Sequence, residues 1–228
     1  MFDFLRRRTP EPPGFDPNQV PDPPRSEIIQ ATDGRYQCHV VDSPDGRWHV
    51  AYGRRTDGEC SRLFRIQDGD IRFTKSVSRP AAAAIATNGS LAVVEREGSE
   101  TTTNRLRVFG DDTETTTHTV DATVSDVAIS PDGSVAVVAT RQPDAAVRAY
   151  DTEKGAPTWS VTPRRATPRL LGFHTDDEQL LYVARERRSE PYFAVDPTGA
   201  VCWGNERYQS TRPLTERLQT LVSRLERG

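Results

Sequence analysis

Apolar residues in this chain come in short runs bounded by turn-forming residues, and the runs recur in phase. Two runs flank each of four turn sequences: Ser43-Pro44-Asp45-Gly46, Thr87-Asn88-Gly89, Ser130-Pro131-Asp132-Gly133 and Thr175-Asp176-Asp177. Proline presets φ at the first corner of a turn, and Gly and Asn tolerate positive φ. The turns begin 44, 43 and 45 residues apart. Strands are expected before them at 37–41, 82–86, 126–129 and 170–174, and after them at 48–52, 91–94, 135–139 and 180–184. Paired apolar runs around a tight turn read as β-hairpins.

The second half of each unit repeats as well. A third strand (63–67, 106–109, 147–150, 192–195) ends near Asp68, Asp111, Asp151 and Asp196. A polar turn and a fourth strand follow, at 71–77, 115–120, 158–161 and 200–203. The Asp landmarks are 43, 40 and 45 residues apart, so two independent markers keep one period. Four strands per period of about 40–45 residues is what a propeller blade requires. One such sheet cannot bury both faces alone, whereas radial stacking buries both and leaves short edges. The expected fold is all-β: a small β-propeller of four four-stranded repeats over 27–205, with blades at about 36–77, 78–120, 121–161 and 162–205. The ring either closes alone or forms an open arc completed by a second copy. A strand-like stretch at 27–30 either adds an edge strand or closes the ring.

At these residues the chain resembles the WD40-like and quinoprotein-like propeller families. The Ser-Pro-Asp-Gly turns are similar to the WD40-type hairpin, and Tyr150-Asp151 is similar to the WD strand ending. Asp151, Gly155 and Trp159 resemble the quinoprotein D-x-x-x-G-x-x-x-W signature, and Asp196, Gly199 and Trp203 form a version one residue shorter. The resemblance implies a scaffold of the non-catalytic kind, with no quinone or other cofactor.

The flanks break the repeat. Residues 9–25 hold seven of the 17 prolines. Such density excludes helix and sheet interior, so 1–26 is expected to be a flexible, extended segment. Its tip pairs Phe2, Phe4 and Leu5 with Arg6, Arg7 and Arg8, a combination suited to docking on a protein partner but too short for a stable membrane anchor. At the other end, 206–228 places Leu214, Leu218, Leu221, Val222 and Leu225 on one helical face after Pro213. That amphipathic helix either packs on the blades or associates with a partner or a second copy.

Composition narrows the function classes. Hydrophobic residues are 35% and charged residues 28%, lean for a thick core but suited to half-exposed strands. The net charge of −3 does not favour a nucleic-acid partner, and of the two arginine clusters, Arg164, Arg165, Arg169 and Arg185, Arg187, Arg188, the second is interleaved with Glu186 and Glu190. Three cysteines without CxxC spacing indicate neither a disulfide framework nor a zinc site. Apolar residues precede the basic ones at the N-terminus, the reverse of a secretion signal, so a cytoplasmic location is expected.

No catalytic motif emerges. The four histidines, His39, His49, His118 and His174, are dispersed, although His39 and His174 fall on first strands that would line an axial channel. The Asp111-Asp112 and Asp176-Asp177-Glu178 acids sit in turns. The expected function is a non-enzymatic protein-interaction scaffold. The alternative is a small-molecule-binding or hydrolytic propeller that uses its central channel.

Overall fold

The hairpin chemistry folds into four antiparallel sheets in the computed structural model of the chain. It describes residues 12, 14–97, 103–111, 113–141, 143–154, 157–163, 167–174, 180–188 and 190–204, and the backbone of 209–211. The first sheet contains β1 (Arg25–Ala31), β2 (Gly34–Asp42), β3 (Trp48–Arg55), β4 (Ser61–Gln67) and β5 (Asp70–Val77). The second contains β6 (Pro80–Ile85), β7 (Leu91–Arg96), β8 (Thr103–Phe109) and β9 (Glu114–Asp121). The third contains β10 (Val124–Ile129), β11 (Val135–Thr140), β12 (Val147–Asp151) and β13 (Pro157–Thr162). The fourth contains β14 (Pro168–His174), β15 (Leu180–Arg185), β16 (Pro191–Val195) and β17 (Val201–Gly204). A last strand, β18 (Gln209–Thr211), returns to pair with β13 of the third sheet.

Two sheets thus carry a fifth strand beyond the expected four. The stretch at 27–30 is part of β1, which pairs antiparallel with β2 from Arg25↔Val40 to Ala31↔Gly34. It extends the first sheet as an edge strand rather than joining the fourth.

Sheets stack in chain order through their first strands. β2 and β3 pack on β6, β6 and β7 on β10, and β10 and β11 on β14. The interfaces are apolar. Val50, Leu63, Ile85 and Val93 fill the first, Val94, Leu106, Val127 and Val138 the second, and Val137, Val147, Leu170 and Val183 the third. Each such side chain, fully buried, contributes about 1.5–3 kcal/mol. The sheets do not close into a ring. Each terminal sheet keeps an apolar outer face, with Tyr36, Ala51 and Phe64 on the first and Leu171, Tyr182 and Ala194 on the fourth.

The N-terminal segment answers this opening, and here the expectation of a free linker over 9–25 is corrected for the described part. Phe15 stacks on His174 with ring centroids 5.0 Å apart and meets Tyr182 at 5.1 Å. Val20 packs on the same face. The Asp16 carboxylate accepts the Asn18 N–H at 2.9 Å and caps a single 3-10 turn, Pro17–Gln19. Gly172 leaves room for Pro21, whose ring lies 3.1 Å from where a Cβ would stand. Prolines keep longer helices and sheet interior out of this segment but not packing, and an apolar face without a following blade offers Phe15 and Val20 a place to bury. The strap then enters β1, so it spans from the fourth sheet to the first.

Turn residues also latch neighbouring sheets. Ser43 and Ser130 each donate to the Asp two residues on, at 2.6 Å, and each accepts the N–H five residues on. Thr87 Oγ1 and Asn88 Nδ2 in the second sheet donate to the Pro131 and Asp132 carbonyls in the third, both at 2.7 Å. Gly89, at φ 85°, lies so close to Trp48 of the first sheet that a Cβ would stand 2.9 Å from its ring. Arg65, buried between Trp48 and Phe73, donates to the Gly89 and Gly110 carbonyls at 3.2 and 2.7 Å.

Candidate functional site

The docking residues read from the sequence, Phe2, Phe4, Leu5, Arg6, Arg7, Arg8, Leu214, Leu218, Leu221 and Leu225, lie outside the described residues. So do the turn at 175–177, Asp112, Gly155, Arg164 and Arg165.

The histidines are not brought together. His39 is exposed on β2 beside Tyr52, and the His49 Nδ1 lies 2.6 Å from Asp42. His118 packs on Tyr150 at 4.7 Å, where burial pulls its pKa down. His174 Nδ1 accepts the Asp16 N–H at 3.2 Å. Among the described residues, no group of three or more His, Cys, Asp or Glu is placed to hold a metal ion. Cys38, Cys60 and Cys202 form no disulfide, and burial pushes Cys38 up to about 12. The repeated aspartates divide. Asp151 accepts the Glu153 and Lys154 N–H groups and Asp196 those of Thr198 and Ala200, as turn caps do. Asp68 instead occupies a left-handed position at φ 52°.

What the fold does assemble is a cavity of about 790 Å³ at the inner edges of the sheets. Its walls come from β2, β6, β10 and β14, with the strap across the opening. β6 presents Ala81, Ala82, Ala83 and Ala84, and small side chains there leave the space empty. The rim is charged in pairs. Asp42 binds both Arg25 and His49; burial pushes its carboxyl up, but these contacts prevail and hold it below the ordinary range. Arg141 of the third sheet meets Glu186 of the fourth at 3.4 Å.

Asp126 on β10 is the inner charge. A register shift between Val124 and Asp126 in the β10–β11 pairing turns it. Its two carboxylate oxygens accept the Val127 and Leu170 N–H groups, each at 3.0 Å, so it also ties the third sheet to the fourth. Burial pushes its pKa up to about 6 against the pull of those N–H groups and of Arg169. Tyr52 lines the same cavity, and burial, with the Asp126 charge behind it, pushes the phenol up to about 12. Sequence reasoning missed this residue. A signal existed: counting back six positions from the turn residues 45, 88, 132 and 176 gives His39, Ala82, Asp126 and Leu170, and only one is a carboxylate.

The fold and this inner cavity define a β-propeller-like array of repeated antiparallel sheets, open between its first and last members. No protein-family model matches the chain, nor does any curated protein. Among solved structures, hydrazine synthase of Kuenenia stuttgartiensis is similar at 11% identity, over 82% of this chain and 71% of that one, with a TM-score of 0.43. The complex of KlAtg21 with a coiled-coil of AgAtg16 is similar at 12% identity, over 77% and 57%, with a TM-score of 0.44. A candidate 6-phosphogluconolactonase from Bacteroides uniformis is similar at 15% identity, over 77% and 58%, with a TM-score of 0.33. No helix among the described residues is long and apolar enough to cross a membrane.

Proposed function

We propose that the chain is a non-enzymatic interaction scaffold of the WD40-like and quinoprotein-like propeller kind, which receives part of a partner in its inner cavity. The observation that carries this reading is the cavity itself. Its volume falls within the roughly 300–1,000 Å³ of ligand sites, and it joins a small-residue wall to a few placed polar groups. The walls belong to four sheets latched to one another, so the cavity is preorganised and binding costs little ordering. The tip at residues 2–8 and the helix expected at 213–228 serve in this reading as accessory contacts.

The same cavity favours a second reading, a small-molecule-binding propeller. A hydrolytic role would need a base beside a nucleophile, and Asp126 stands beside Tyr52 and Arg169 rather than beside a histidine.

Amide NMR spectra recorded against a mixed peptide and small-molecule library test the proposal. Shifts clustered at Ala82, Asp126 and Leu170, and lost in Ala82→Phe, are expected. Shifts confined to other surfaces, or unchanged by Ala82→Phe, would overturn it.

A further inference from the structure

Asp126 differs from the paired charges that line the cavity. Arg25 is engaged by Glu27 and Asp42, Arg141 by Glu186, and Arg169 donates to the Arg188 carbonyl at 3.2 Å. Among the described residues no cation lies within ion-pair distance of the Asp126 carboxylate. It holds one backbone N–H on each oxygen. A carboxylate oxygen has two lone-pair sites, so each oxygen keeps one acceptor position. An ionised group taken out of water without a partner is costly, and two neutral donors offset only part of that cost.

The surroundings specify what would complete it. Ala82, Ala84 and Val127 give the cavity an apolar wall next to the carboxylate. A slot that is apolar along its side and anionic at its base matches an aliphatic chain ending in a cation. An ammonium group carries three donors, two of which can fill the two acceptor positions that remain. We propose that the cavity binds an aliphatic primary ammonium group with Asp126 as its counter-ion. A partner's lysine side chain and a free alkylamine share this chemistry. The inference rests on the reading of the cavity as the binding site.

The pH dependence follows from the groups that face Asp126. These are Arg169 from β14 and Tyr52 from β3, whose phenol burial pushes up to about 12; β6 presents no titratable side chain, and the strap adds Asp22 at the cavity wall. Ammonium binding therefore needs the ionised carboxylate and weakens as pH falls through the Asp126 titration.

The test is titration calorimetry on the full chain with hexylammonium, an end-blocked Ala-Lys-Ala peptide and hexanoate. Both ammonium probes are expected to bind and hexanoate to fail, with at least ~10-fold weaker binding in Asp126→Asn, the loss of a charge-assisted contact. Tighter binding of the amine points to a small-molecule source, and tighter binding of the peptide to a partner's lysine. Carbon NMR of the Asp126 carboxyl gives a readout on unaltered protein: hexylammonium should lower its titration midpoint. Hexanoate binding as well as hexylammonium, an Asp126→Asn affinity equal to that of the unaltered chain, or an unmoved midpoint would overturn the proposal. If the ammonium probes fail while library compounds still shift the cavity amides, only the ammonium assignment falls. If nothing reaches those amides, the scaffold reading falls with it.

Discussion

The Nε1–H of Trp159 on β13 donates to the carbonyl of Pro197 in the β16–β17 turn at 3.0 Å, so a blade's outer strand is pinned by a turn of the next blade. Gly199, two residues on, sits against the same indole at φ 81°. A Cβ there would stand 2.5 Å from the ring.

Replacing Gly199 by Ala should therefore cost both backbone strain and a displaced indole, about 2–4 kcal/mol together. Gly46 has the same positive φ, 69°, but nothing within 4 Å of its Cβ position. Gly46→Ala should cost only the strain, about 1 kcal/mol. Urea unfolding of the two variants checks the difference, and equal losses would show that the indole contact carries no stability.

Trp159→Phe keeps most of the buried area and removes the donor. The Pro197 carbonyl can turn to water, so a loss of about 1 kcal/mol is expected in the same assay.

Phe15→Ala should destabilise the fourth sheet first. Phe15 covers His174 and Tyr182, and its truncation should cost about 2–3 kcal/mol, less than a fully enclosed Phe because Phe15 is half-buried. Hydrogen exchange reads the site: amides of β14 and β15 should exchange faster while those of β7 and β11 hold.

Arg107 bridges two acids, Glu95 and Glu114, each at 2.6 Å. The contact with Arg107 holds the Glu114 carboxyl below its ordinary range. A depressed carboxyl stabilises the fold above its unfolded pKa and loses that contribution as pH falls through the folded value. Stability should drop below about pH 4.5, and Glu114→Gln should flatten that part of the curve. Glu95 is buried and also accepts the Ser78 N–H at 3.0 Å, so Glu95→Ala leaves that N–H unpaired and Arg107 with one acid in place of two, and should cost about 1–3 kcal/mol.

Asp126 has the opposite sign. Its carboxyl is raised from an ordinary 3.8 to about 6, so the folded chain holds the extra proton between those values. Stability should fall as pH rises through that window, by on the order of 2–3 kcal/mol, and stay low above it. Asp126→Asn should remove this slope, as thermal melts between pH 3.5 and 7.5 would record.

The sheets were legible because each depends on local chemistry. Ser-Pro-Asp-Gly names its own turn, and the alternation around it sets strand and face. The extra strands were less so. β1 was seen only as a strand-like stretch, since its partner β2 is what decides whether it pairs. The strap escaped because Phe15 among prolines carries no periodicity, and its partner Tyr182 lies far along the chain. Asp126 escaped because it sits within a strand pattern, where one carboxylate reads as an exposed position. Only the closing of sheets around it makes a cavity of that point.

The strap also imposes an order of assembly. Asp16 and His174 are 158 residues apart in sequence, yet their bond lies at the seam of the arc. Phe15 and Val20 have no apolar face to cover until the fourth sheet exists, so that sheet must form before the seam can be sealed. Contacts of such separation pay their loop-closure entropy before they return any stabilisation. Sealing should therefore be the last event in folding and the first lost in unfolding, leaving a four-sheet intermediate with the outer face of β14 and β15 bare.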